Sequence, residues 1–319
     1  MNQYILKRIL TAIPTLIAIS MVIFLILALA PGDPMGEFAT NPSITAEVRD
    51  NIRRSLGLDQ PIPIRYLKWF WAFLQGDMGY SFTSRSPVNQ LIAQRLPTTL
   101  WIAGTAYIIA LLMAFPIGIL SAIKRYSILD QIATTFTFLG FSLPPFFTGL
   151  VFIIIFSVKL SWFPFIYNST LQVTNLQTFL EQIKQSIMPI SVLVLFQTAV
   201  LMRFIRSSVL EQLNQDYVRT AYAKGLSQLT VIIQHILRNA LIPVVTLIAL
   251  DIPSLFTGAL ITEQIFRIPG IGALLVESIY RSDTPVVMAI TFTYAILVVI
   301  FNLVADVLYG ILDPRVQYK

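Results

Sequence analysis

Six long apolar stretches, separated by polar or Pro/Gly-marked segments, dominate the pattern of this chain. A helix that crosses a bilayer needs about 20 mostly apolar residues, because the hydrocarbon core is about 30 Å thick and each residue rises about 1.5 Å. The stretches that meet or approach this length are residues 9–30, 98–123, 134–158, 187–202, 241–261 and 285–310. The pattern therefore predicts an all-α membrane protein with six transmembrane helices.

The first apolar stretch follows Lys7 and Arg8 and could be mistaken for a cleaved signal peptide. Pro31 argues against cleavage, because its fixed φ and missing N–H suit it poorly to the extended cleft of a protease. We therefore expect a retained transmembrane helix in residues 1–30. The predicted divisions after it are an extracytoplasmic segment 31–97, a core transmembrane domain 98–310 and a cytoplasmic tail 311–319.

The extracytoplasmic segment mixes charges of both signs with the aromatic run Trp69-Phe70-Trp71. We expect it to form a small folded cap. The aromatic run is more typical of an interfacial belt or a local core than of a ligand platform.

Lysine and arginine in the short loops predict the orientation of the helices, because such residues are enriched on the cytoplasmic side. The basic residues alternate onto one side of the six predicted helices, with fewer on the other side. Those on the richer side are Lys7, Arg8, Lys124, Arg125, Arg203, Arg206, Arg219, Lys224, Arg238, Arg315 and Lys319. Both termini are therefore expected in the cytoplasm.

The composition agrees with a membrane protein and excludes several kinds of chemistry. The chain is 56% hydrophobic and 12% charged, whereas soluble domains are about 25% charged. It has no cysteine and one histidine, His235, which excludes disulfides, thiolate nucleophiles and histidine-rich zinc sites. The net charge of +6 comes from scattered residues, a distribution that does not indicate nucleic-acid binding.

The cytoplasmic loop 203–240 contains a short helix with signals at both ends. Asp216 can cap its N-terminus, Gly225 can end it, and Lys224 suits the negative end of the helix dipole. Val218, Ala221 and Tyr222 follow helical spacing on one face. A second amphipathic pattern follows Ser227, and we expect it to form a helix along the membrane surface.

Two segments of this loop resemble the cytoplasmic signature of permease subunits from binding-protein-dependent ABC importers. They are residues 219–227 (RTAYAKGLS) and 235–243 (HILRNALIP), and the dipeptide/oligopeptide/nickel branch matches best. The general signature has Glu-Ala-Ala where this chain has Arg219-Thr220-Ala221. Further landmarks of that branch are residues 31–34 (PGDP), 76–81 (GDMGYS), 268–272 (IPGIG), 302–306 (NLVAD) and 312–315 (LDPR).

The resemblance implies a type I ABC importer permease fold in a bacterial inner membrane. It also implies partners: a second homologous permease, two cytoplasmic ATPase subunits that use the ATP, and an extracytoplasmic solute-binding protein. Small Ala221 and Ala223 would let the helix approach the ATPase closely, and Tyr222 would fill a pocket. The implied coupling residues are Asp216, Tyr217, Arg219, Thr220, Ala221, Tyr222, Ala223, Lys224, Gly225 and Leu226.

Two further places are candidates for contact with a solute or for gating. Asp251 lies in the fifth apolar stretch, where a carboxylate usually faces a cavity or a partner; it could bind a cationic solute group or make a helix–helix hydrogen bond. Pro269, Gly270 and Gly272 precede the sixth stretch and could shape a re-entrant gate or form a plain turn.

Motifs for catalysis and for cofactor binding are absent from the sequence. There is no phosphate-binding Gly-x-x-x-x-Gly-Lys-Ser/Thr loop, no His-Glu-x-x-His zinc motif and no Gly-x-Ser-x-Gly elbow. We expect a transport subunit that binds neither cofactor nor metal. The alternatives are an ion-coupled secondary transporter, which would predict inverted repeats, and an intramembrane enzyme. The solute stays open among dipeptides, oligopeptides, glutathione and nickel complexes.

Overall fold

The structure is a computed structural model that describes residues 2–29, 47, 54 and 59–312. Its helices are α1 (Asn2–Leu29), α2 (Ile62–Leu74), α3 (Val88–Thr99), α4 (Thr105–Ile123), α5 (Ile128–Ser142), α6 (Pro145–Phe152), α7 (Leu176–Leu213), α8 (Asp216–Ala223), α9 (Gln228–Thr230), α10 (Arg238–Asp251), α11 (Ser254–Thr257), α12 (Leu260–Ile265), α13 (Ile271–Tyr280) and α14 (Thr284–Leu312). Three π-helical segments, Leu100–Gly104, Ile153–Lys159 and Val231–Leu237, continue α3, α6 and α9. The described residues contain no β-strand.

Within the described residues, five helical runs are long and apolar enough to cross a membrane, and a sharply bent pair of helices makes a sixth. The runs are Leu10–Leu29, Val88–Ile123, Leu176–Leu213, Gln228–Ile265 and Thr284–Leu312, and the bent pair is Ile128–Gly140 with Pro145–Lys159. The prediction of six apolar crossings in an all-α protein is confirmed.

Two of these crossings differ in form from the prediction. The third is broken at Leu143, whose extended backbone (φ −94°, ψ 116°) is the conformation that a following proline favours. The fourth, predicted from 187 to 202, is part of the 38-residue helix α7. Its ends are polar, so apolar length alone underestimates the helix.

The described residues form two compact units. One comprises the residues up to Pro97 together with Ala273–Ile300, and the other comprises Thr98–Gly272 and the residues from Phe301 onward. The predicted cap lies in the first unit. Residues 31–46, 48–53 and 55–58 of the cap, and residues 313–319 of the predicted tail, lie outside the described residues.

A buried carboxylate holds the loop that follows α2 in the first unit. Asp283 is 2% exposed, and it accepts hydrogen bonds from the Ser81 hydroxyl and from the backbone N–H of Phe82 at 3.0 Å. The 76–81 landmark is therefore anchored to the turn that precedes α14.

The core of the second unit is built on close packing between α4 and α7. Ala110 and Ala114 of α4 are fully buried, and a Cβ on Gly118 would lie 3.1 Å from the Ile205 side chain. Small residues let transmembrane helices approach closely. The same apolar cluster includes Val218 and Ala221 of α8 and Val231 and Ile236 beyond it.

The amphipathic segment after Ser227 is not a separate surface helix. Ser227 caps α9 by accepting from the Thr230 N–H, and the backbone stays helical through Val231 and Leu237 into α10. Val231 and Ile236 are fully buried. The segment therefore forms the first turns of the fifth crossing, because its apolar stripe packs on the protein core.

Candidate functional site

Helix α8 joins the long helix α7 to the fifth crossing and is closed at its C-terminus by glycine. Gly225 has φ 79°; its N–H donates to the Tyr222 carbonyl at 2.9 Å, and the Leu226 N–H donates to the Ala221 carbonyl at 3.4 Å. These are the two bonds of a Schellman motif. Gly225 therefore ends α8, as expected from the sequence.

The N-terminus of α8 differs from the expectation. Gln215 occupies the cap position and makes no side-chain capping bond, while Asp216 is the first helical residue. Its carboxylate still lies at the positive end of the helix dipole. It also meets Arg219 at 3.4 Å, with both side chains largely exposed.

The two faces of α8 contact different surroundings. Val218 and Ala221 are 2% and 4% exposed and pack on the apolar core of their own chain. Ala221 therefore does not supply the predicted close approach to a partner. The exposed residues of α8 and of the three positions after it are Asp216, Arg219, Thr220, Tyr222, Ala223, Lys224, Gly225 and Leu226.

Polar contacts hold α7 at two places, one at the turn to α8 and one against α4 and α5. The Tyr217 hydroxyl donates to Gln212 Oε1 at 2.7 Å across the turn. Two turns earlier on α7, Arg206 donates from Nε to Asp130 Oδ1 at 2.7 Å and from Nη2 to Asp130 Oδ2 at 3.0 Å. Ser121 of α4 also donates to Asp130. This ionic cluster ties α4, α5 and α7 together.

A cavity of about 310 Å³ lies in the second unit, between the helical crossings and the segment around α11 and α12. Its wall is mostly apolar, with polar groups from Tyr107, Gln197, Ser254 and Thr262. The Tyr107 hydroxyl donates to Asp251 Oδ2 at 3.4 Å. Asp251, predicted as a solute contact or a helix–helix partner, does not line this cavity and makes an interhelical hydrogen bond to Tyr107.

The predicted gate residues lie around a buried glutamate. Glu263 of α12 is 2% exposed, and its Oε1 accepts from the Thr99 hydroxyl at 2.9 Å. The Ile271 N–H in turn donates to Thr99 Oγ1 at 2.8 Å. A Cβ added at Gly258, Gly270 or Gly272 would overlap the Glu263 carboxyl group. The segment 258–272 is therefore folded around one carboxylate, and Pro269 lies within it.

Sequence reasoning missed Glu263, Thr99, Asp130 and Arg206. Glu263 is seven residues from Gly270 and nine from Gly272, so the glycines that follow an isolated glutamate were a usable signal. Thr99 and Asp130 gave none, because their partners are 164 and 76 residues away in the chain.

The six crossings, with the short helix α8 between the fourth and the fifth, define a multi-pass membrane protein. Residues 114–318 match the family "Binding-protein-dependent transport system inner membrane component", and residues 1–103 match the N-terminal family of such membrane components. The chain belongs to this inner-membrane family. Its members are transport subunits, so neither the secondary-transporter nor the enzyme alternative is kept.

Relatives of the chain align along its full length. It is 43% identical over 319 residues to the oligopeptide transport system permease protein AppB of Bacillus subtilis. It is 39% identical over 319 residues to the glutathione transport system permease protein GsiC of Salmonella paratyphi A. It is 37% identical over 338 residues to the dipeptide transport system permease protein DppB of Escherichia coli K12. In each case the match covers all of both chains.

Proposed function

We propose that the chain forms one half of the translocation path of an ATP-driven importer for short peptides or peptide-like solutes. Its partners are a second homologous permease, two cytoplasmic ATPase subunits and an extracytoplasmic solute-binding protein. Relatives named for oligopeptides, dipeptides and glutathione share amide-linked, amino-acid-derived solutes, which supports this solute class. ATP is bound by the ATPase subunits, and this chain needs no cofactor of its own.

The observation that carries the proposal is the two-faced packing of α8. Its inner face is buried in the core through Val218 and Ala221, while its outer face is exposed. A rigid helix that is packed on one side transmits a displacement applied to its other side, because a packed core does not deform continuously. Closure of the ATPase dimer on the outer face would therefore move α7 and the fifth crossing together.

The cavity beside Tyr107 and the re-entrant segment 258–272 are the proposed solute path and gate. Polar groups within apolar crossings generally face such a path. Asp251 would offer its carboxylate to a solute ammonium group when Tyr107 moves aside. Pro269, Gly270 and Gly272 would keep the gate segment in its folded form around Glu263.

Protection from chemical labelling tests the docking of α8. The chain has no native cysteine, so Ala223→Cys can be labelled alone with a membrane-impermeant maleimide in inside-out vesicles. We expect the ATPase subunits to slow labelling of Ala223→Cys, because that position lies on the exposed face. Lys124→Cys, an exposed position on the turn between α4 and α5, is the matched control and should label at an unchanged rate. Equal labelling of Ala223→Cys with and without the ATPase subunits would refute the proposal.

A further inference from the structure

Helix α2 has apolar side chains on two opposite faces. On its inner face, Tyr66 packs on Phe24 of α1 with ring centroids 5.6 Å apart, and Phe73 packs on Phe292 of α14 at 4.9 Å. The opposite face follows helical spacing but has no such ring packing with the described residues. Its side chains are Ile64, Leu67, Trp71 and Leu74, exposed by 46%, 63%, 65% and 62%. A soluble cap would place polar residues on this face.

The contacts of α2 fix its depth along the two membrane-crossing helices. Ser20 shares a 2.9 Å hydrogen bond with the Tyr66 hydroxyl, and Ser20 lies nine residues before the end of α1 at Leu29, which is about 13 Å of helix. Phe292 lies eight residues after the start of α14 at Thr284, about 12 Å of helix. Both contacts therefore place α2 beside the membrane-crossing parts of α1 and α14 and not beyond the ends of these helices.

Helix α1 also exposes apolar side chains on either side of its contact with α2. Val22, Leu25 and Ile26 of α1, at the same depth, are 55%, 48% and 61% exposed. The surface of a membrane-crossing helix at this depth faces acyl chains. The apolar face of α2 therefore belongs to a lipid-facing surface.

Basic residues border this face on one side. Arg65 and Lys68 are the charged residues of α2, and the helix contains no aspartate or glutamate. On a helical wheel both lie on the same flank, between the packed and the exposed faces. Their long stems can follow apolar surface while the charged ends reach the headgroups, and positive charge there complements lipid phosphates.

We propose that α2 is a lipid-binding helix that lies in the leaflet where α1 ends. Ile64, Leu67, Trp71 and Leu74 pack on acyl chains, and Arg65 and Lys68 bind the phosphates of anionic lipids such as phosphatidylglycerol. The helix thereby fixes the first and last crossings relative to the bilayer surface. This inference is independent of the solute and of the ATPase docking site.

Spin labels on single cysteines in the complete transporter, reconstituted into vesicles, test the occupant of this face. Labels at Leu67→Cys, Trp71→Cys and Leu74→Cys should collide often with oxygen, which concentrates in hydrocarbon, and rarely with a water-soluble nickel chelate. Lys68→Cys, one residue from Leu67 but on the basic flank, is the matched control and should show a severalfold lower oxygen-to-nickel ratio. Labels on the apolar face that meet neither reagent would show a protein partner there, and frequent nickel collisions would show water; either result overturns the proposal.

The preference for anionic lipid is tested in the same preparation by changing the headgroups. When phosphatidylglycerol is added to phosphatidylcholine vesicles, the motion of the spin label at Leu67→Cys should become more restricted. The Arg65→Gln/Lys68→Gln variant should lose this difference while its Leu67→Cys label stays in hydrocarbon. A response to phosphatidylglycerol that survives in the double variant would refute the role of the two basic residues.

Discussion

The backbone conformation at Gly225 is one that a residue without a Cβ adopts most easily. No neighbouring atom would meet a Cβ there, but φ is 79°, so the cost of substitution is conformational. Gly225→Val should therefore cost about 1–2 kcal/mol locally and should tilt α8, with little effect on the transmembrane core. We expect normal abundance in the membrane but reduced solute-stimulated ATP turnover in vesicles.

Gly225→Asn is the matched control, because asparagine tolerates the left-handed region better than a β-branched residue. It should keep most of the turnover. Wild-type turnover by Gly225→Val would contradict the coupling role of α8, since the strained residue is the one that ends the helix.

Gly270 is constrained by space and not by its own φ. A Cβ there would overlap the Glu263 carboxyl group, and overpacking of this kind costs about 1–3 kcal/mol. Gly270→Ala should therefore distort the segment 258–272 and slow solute uptake, measured with radiolabelled peptide in vesicles. Gly104→Ala is the control, because nothing lies within 4 Å of its added Cβ. Equal uptake by the two variants would show that the segment does not gate the path.

At the scale of elements, the Asp130–Arg206 pair tests how α7 is held against α4 and α5. The Asp130 side chain is 5% exposed and the Arg206 side chain 28%. Arg206→Gln leaves that buried carboxylate without its cation, which we expect to cost about 3 kcal/mol and to lower the melting temperature in detergent.

Arg219→Gln removes the same charge from an ion pair that is exposed on both sides. It should leave the melting temperature unchanged, because exposed pairs contribute little to stability. Equal melting temperatures for the two variants would mean that the buried cluster does not brace α7.

At the scale of the whole molecule, the orientation in the membrane is a prediction from charge alone. Ser84→Cys, in the exposed loop between α2 and α3, should react with an impermeant maleimide in intact cells. Ser227→Cys, after α8, should react only in permeabilised cells. The reverse result would invert the orientation and would move α8 away from the cytoplasmic ATPase subunits.

The sequence by itself determined the class of fold, the number of crossings and the position of the short helix α8. These features follow from local physics, because a bilayer requires long apolar helices and because Gly225 marks a helix end wherever the chain is placed. The sequence did not determine which residues meet. Only the tertiary structure brought Thr99 to Glu263, Arg206 to Asp130 and Tyr66 to Ser20, since these pairs are far apart in the chain and each residue alone has no periodic signal. The sequence also did not determine that Ala221 is buried or that one face of α2 is exposed. Which side of a helix is buried depends on the elements that pack against it.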